Sequence, residues 1–191
     1  HSRQLSISMS SIFRNCYLSH RIHALVKDDE EGQQYDQDLQ FNILLGDYIS
    51  GRVLKALVET KTDRILNDLA QMIAEVNQGM VIKHKLNGGF NQIIEATRAP
   101  FYATAFLTAA KLAAYDNECC QSYRQMGYHF GMSIELGQDP VSQQQVQNHM
   151  HKCEKLFVQI SKRGHSSNSS LENAIRELHS HFCGMEEFAV V

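Results

Sequence analysis

Proline is nearly missing from this chain, with 2 in 191 residues, and glycine is sparse at 11. That leaves little material for the turn-rich connections of a β-sandwich and favours long helices. No run of about 18 apolar residues occurs, so no transmembrane helix is predicted. The formal charge of -3 supplies no basic field, which argues against a nucleic-acid partner. There is no CxxC spacing. The five cysteines (16, 119, 120, 153 and 183) make an odd count. The adjacent pair Cys119-Cys120 suits neither an ordinary disulfide nor a zinc knuckle. Free or buried thiols follow, with the cytoplasm as the default compartment. The start, His1-Ser2-Arg3-Gln4, has neither an initiator Met nor a signal-peptide layout and reads as a tag remnant or a truncated beginning. What is present, 43% hydrophobic and 20% charged residues, is an ordinary globular composition. The length fits a single domain over 1–191.

Apolar residues recur at helical spacing almost throughout. Leu5, Met9, Ile12, Tyr17 and Ile22 predict a helix to about Val26, followed by a charged loop from Lys27 to Gln34. A second helix is predicted from about Asp38 to Val58. Thr60 to Asp63 offers N-cap chemistry for a third, with Leu66, Leu69, Ile73 and Val76 on its face. Gly79 and then Asn87-Gly88-Gly89 mark an interruption. The fourth helix runs from about Asn91 to Ala114 with Pro100 as a kink, and the fifth from Asp116 to Gly137. Two more cover Gln143–Lys162 and Leu171–Phe182, joined by a connector over Gly164–Ser170. The sum is an all-α, single-domain bundle of about seven helices.

The chemical motifs are mostly negative. Ten histidines are present, but His20/His23, His149/His151 and His179/His181 supply no set of three or four convergent ligands, and i, i+2 pairs diverge on a helix. No GxSxG elbow and no phosphate-cradling glycine loop occurs. Asp28-Asp29-Glu30-Glu31 could attract Mg²⁺, yet its consecutive spacing reads as a solvated charge run.

Asn42-Ile-Leu-Leu-Gly-Asp-Tyr-Ile-Ser-Gly51 resembles the "LLGDYLLA" helix start of trans-prenyl diphosphate synthases, and Gly46 to Gly51 is similar to the "GDYFSG" run of component I of bacterial heptaprenyl diphosphate synthases. Further landmarks follow in order. Leu18 to His23 stands where the family has its first aspartate motif, and Ile73 to Gln78 falls on the following interface helix. Ala96-Thr97 stands for its Lys-Thr, and Ala109 to Glu135 for the helix leading into the second aspartate motif. This last stretch also looks like the non-catalytic second subunit of eukaryotic long-chain polyprenyl synthases. The likeness covers roughly residues 10–140 and implies an isoprenoid-synthase-like bundle shortened at both ends.

Such synthases ionise an allylic diphosphate, using Mg²⁺ held by two facing DDxxD clusters on helices. Here the first position reads Ser19-His20-Arg21-Ile22-His23, without a carboxylate. The second, after Glu135, reads Gln138-Asp139-Pro140, the diphosphate lysine has become Ala96 beside a retained Thr97, and a usual Gly-Glu has become Gly79-Met80. The resemblance therefore implies no catalytic residues and no metal or other cofactor bound by this chain, with Mg²⁺ expected in a catalytic partner. It implies an accessory subunit of a heteromeric long-chain (heptaprenyl-type) polyprenyl diphosphate synthase serving isoprenoid-quinone, such as menaquinone, side chains. The expected location is cytoplasmic, with a loose membrane association through the product. The expected interface consists of Leu45, Ile49, Val53 and Leu57 on one helix and Leu66, Leu69, Ile73 and Val76 on the next, with a homodimer as the state in isolation. Three alternatives stay open: residual prenyl diphosphate chemistry using Glu135, Asp139 and the Asp28–Glu31 run, a standalone helical binder of apolar ligands, the product's prenyl chain among them, or a His/Cys metal-binding bundle.

Overall fold

The computed structural model describes residues 3–26, 37–61, 63–86, 88–163 and 169–184. Among them every regular element is helical: α1 (Arg3–His23), α2 (Gln37–Thr60), α3 (Asp63–Lys85), α4 (Phe90–Thr97), α5 (Ala99–Leu112), α6 (Asn117–Leu136), a 3-10 turn (Pro140–Ser142), α7 (Gln143–Lys162) and α8 (Ser169–Cys183). The all-α expectation holds. Counting α4 and α5 as one broken helix gives the seven helical segments expected from the sequence. The charged run at 28–31 and most of the 164–170 connector lie outside the described residues.

The chain groups into two compact units, His1–Leu66 and Asn67–Val191. In the first, α1 packs on α2. Gly46 makes this close approach possible, since a Cβ there would stand 2.4 Å from the His23 ring. In the second unit, α6 is the central helix, flanked by α5 and α7. Asp116 caps its start by accepting from the Cys119 amide at 2.7 Å. On one flank Gly127 and Gly131, one turn apart, lie against α5, where an added Cβ would meet the Tyr102 carbonyl at 2.6 Å and its ring at 2.5 Å. On the other flank Met126, Met150, Cys153, Phe157, Ile160 and Ile175 form a buried core cluster. Cys16, Cys119, Cys120 and Cys153 are free thiols, and burial pushes the Cys153 thiol up to about 12.

Three sequence expectations need correction. The break within 91–114 falls at Arg98, two residues before Pro100. A proline ring collides with the carbonyl four residues back, so the helix ends first and Pro100 sits in the opening turn of α5, where its missing N–H costs nothing. Gly79 does not interrupt α3, which continues to Lys85. It is buried, and a Cβ would lie 2.5 Å from the Ala96 carbonyl, so its role is to let α4 approach. The second helix runs past Val58 to Thr60, whose hydroxyl donates to the Leu57 carbonyl at 3.0 Å, while residue 62, just before α3, lies outside the described residues.

Candidate functional site

The first candidate position lies at the end of α1. Ser19 is buried, and its hydroxyl donates to the Gly46 carbonyl at 2.9 Å and pairs with the Ser50 hydroxyl at 2.8 Å. His23 covers Gly46 and brings Nε2 to 3.4 Å from an Asp47 carboxylate oxygen. His20 is half-buried and Arg21 exposed. The helix end is therefore pinned to the Gly-Asp-Tyr turn of α2 by hydrogen bonds and an imidazole–carboxylate contact, and α1 itself contributes no acid there.

The second position lies at the end of α6. Glu135 is 1% exposed, and an isolated carboxylate at that depth would be costly. It is fully engaged: Arg98 Nη1 donates to one oxygen at 2.8 Å and the Tyr102 hydroxyl to the other at 2.8 Å. Arg98 can reach it because the helix break between α4 and α5 leaves that residue at the junction. Asp139 is spent on local capping, accepting from the Val141 amide at 3.2 Å and the Ser142 hydroxyl at 2.8 Å. Gln138 is exposed.

At the position of the missing lysine, Ala96 presents its carbonyl to Gly79. Thr97 is buried, and its hydroxyl donates back to the Ile93 carbonyl at 2.6 Å. No group of three or more His, Cys, Asp and Glu among the described residues could hold a metal ion. The donors at these positions do not fit Mg²⁺, which needs free oxygen ligands. One position offers imidazole and guanidinium, and the acids of the other are already neutralised or capping a turn.

The eight expected interface residues divide. Val53, Leu57, Leu69 and Val76 are buried within this chain, while Leu45 and Ile49 are half-buried. Leu66 and Ile73 are exposed. The outward side of α2 nonetheless carries large apolar residues, Phe41, Leu44 (68% exposed), Tyr48, Leu54 and Val58 (78% exposed), alongside the exposed Asp47, Arg52, Lys55 and Glu59. On α3, Leu66, Ala70, Ile73, Asn77 and Met80 alternate at four- and three-residue steps on a largely exposed side.

Sequence reading missed several contacts that join distant parts of the second unit. Lys111 bridges both oxygens of Asp68 at 2.8 and 2.7 Å. The Tyr128 hydroxyl donates to Glu95 at 2.8 Å, and burial is the main cause that raises its pKa. His129 and His149 meet across α6 and α7, and burial pushes His129 down to about 4. His151, two residues beyond His149, points to solvent, as i, i+2 geometry requires. These partners lie tens of residues apart, so no local pattern announces them.

The fold resembles that of the polyprenyl synthases, the all-helical isoprenoid synthase architecture. The chain aligns with a polyprenyl synthase from Roseobacter denitrificans at a TM-score of 0.60 and 17% identity, over 96% of this chain and 67% of that one. A decaprenyl diphosphate synthase from Rhodobacter capsulatus aligns at 0.59 and 16% identity, over 92% of this chain and 64% of that one. A polyprenyl synthase from Caulobacter crescentus CB15, solved with calcium and isoprenyl diphosphate, aligns at 0.55 and 20%, over 96% and 70%. The chain thus spans about two thirds of the length of these synthases. No protein-family model and no curated protein sequence matches it. Among the described residues no helix is long and apolar enough to cross a membrane.

Proposed function

We propose that this chain is a non-catalytic accessory subunit of a heteromeric long-chain polyprenyl diphosphate synthase. Its partner is the catalytic subunit, which carries both aspartate clusters and their Mg²⁺. The product is of heptaprenyl type, destined for quinone side chains, and the growing prenyl chain gives the complex a loose hold on the membrane. The observation that carries this reading is α2. A helix with apolar residues on its inward and its outward side belongs in an interior, and its outward side lies open here. The heptad-like row on α3 supports the same conclusion, with Asn77 as the polar residue that would fix register against a second helix. The engaged state of Glu135 and Asp139 supports the non-catalytic part.

The test is co-expression with a catalytic polyprenyl synthase subunit from the same genome, followed by a chain-elongation assay with Mg²⁺. Co-purification, with elongation by the mixture and none by this chain alone, is the expected result. Elongation by the isolated chain would exclude the accessory role.

A further inference from the structure

The side chains of His129 on α6 and His149 on α7 face each other, with their Nδ1 atoms 2.9 Å apart and ring centroids 5.1 Å apart. Both rings are half-buried. The Tyr128 ring lies against both, at centroid distances of 5.0 Å and 5.9 Å. Two imidazole nitrogens turned on one another at this separation can share one N–H, or they can share one cation. Nitrogens each held about 2.0–2.1 Å from a single ion stand roughly 3 Å apart, so a small rotation of either ring suffices to admit one. Imidazole nitrogen suits zinc, copper and nickel, and suits calcium or magnesium poorly.

We propose that His129 and His149 form a two-imidazole anchor for a first-row divalent transition ion, Zn²⁺ or Cu²⁺, that clamps α6 to α7. Water completes the coordination, since no third His, Cys, Asp or Glu converges there among the described residues. In the metal-free pair one ring carries its proton on Nδ1. On ligation that ring takes the tautomer protonated on Nε2, both imidazoles stay neutral and no net proton is released. Two charged neighbours act on the site in opposite senses. Glu95 of α4, held by the Tyr128 hydroxyl, favours a cation near His149, and Lys152 of α7 opposes one at both rings. The anchor is independent of the proposed subunit role and holds or fails without it.

The experiment titrates metal-stripped full chain with Zn²⁺ and, separately, Cu²⁺, following heat of binding and melting temperature. One ion per chain is expected, with a rise in Tm. His129→Gln and His149→Gln each weaken binding by about tenfold or more. His151→Gln, at the exposed neighbour, leaves it unchanged, Lys152→Gln tightens it and Glu95→Gln weakens it. Electron paramagnetic resonance of the Cu²⁺-loaded wild type should show coupling to two imidazole nitrogens, a reading that needs no variant to fold. Fewer than two coupled nitrogens would overturn the proposal. So would affinity indifferent to His129→Gln, or no binding up to about a millimolar ion.

Discussion

Glu135 shows how one buried charge decides what its neighbours must be. Its carboxylate is out of water, so Arg98 and Tyr102 are obligatory partners. Replacing Arg98 by Ala strands the charge and should destabilise the chain by about 3 kcal/mol in urea unfolding. The paired change Arg98→Met with Glu135→Leu removes both charges together and should cost under about 1 kcal/mol. Equal losses in the two would show that the stranded Glu135 charge is not what Arg98 offsets.

His129 supplies a proton-linked counterpart. With a chelator present to keep the pair free of metal, its pKa falls from 6.5 when unfolded to about 4 when folded. As pH drops below 6.5 the unfolded chain takes up the proton first, so stability is full above that value and is lost progressively toward pH 4. Discounted for partial exposure, the loss is about 1–2 kcal/mol. His129→Gln should flatten this part of the stability profile, and a profile unchanged by the substitution would assign the slope to other groups.

Between elements, glycine has opposite meanings at two helical positions. Gly127 faces the Tyr102 backbone, which cannot move aside for a methyl group. Gly127→Ala should therefore cost about 1–3 kcal/mol despite the better helix propensity of alanine. Gly51 has nothing within 4 Å of where its Cβ would stand, so Gly51→Ala should stabilise the isolated chain by about 0.5–1 kcal/mol. Thermal melts of the two variants should move in opposite directions. A rise for both would mean that α5 and α6 are not in close contact at Gly127. The helices carrying these glycines were legible from apolar spacing, as in Tyr123, Met126 and Phe130 on α6. The meaning of each glycine was not, because it depends on what stands opposite.

Over the whole molecule, the open question is what covers α2. A double change of Leu44→Glu and Val58→Glu alters only exposed side chains, so the stability of the isolated chain should stay within about 0.5 kcal/mol. In the co-expression experiment the same change should abolish co-purification with the catalytic subunit, since charges placed at the centre of an apolar contact lack partners. Retained co-purification would move the contact to another surface. Val53→Glu, by contrast, strikes a residue buried in this chain and should reduce the yield of folded protein whether or not a partner is present.

The sequence by itself determined the all-helical class, nearly all the helical segments and the absence of carboxylates at the first motif position. Composition, apolar period and residue identity are local quantities, and each is complete in the chain as written. Only the tertiary structure decided which side of α2 is spare: Val53 and Leu57 read as well for a partner as for a core until the fold buries them. It also decided that Glu135 is neutralised from Arg98, 37 residues away, and that His149 finds His129 rather than the nearer His151. Pairing across such separations depends on how helices stack and where they break, and spacing within one helix carries no record of either.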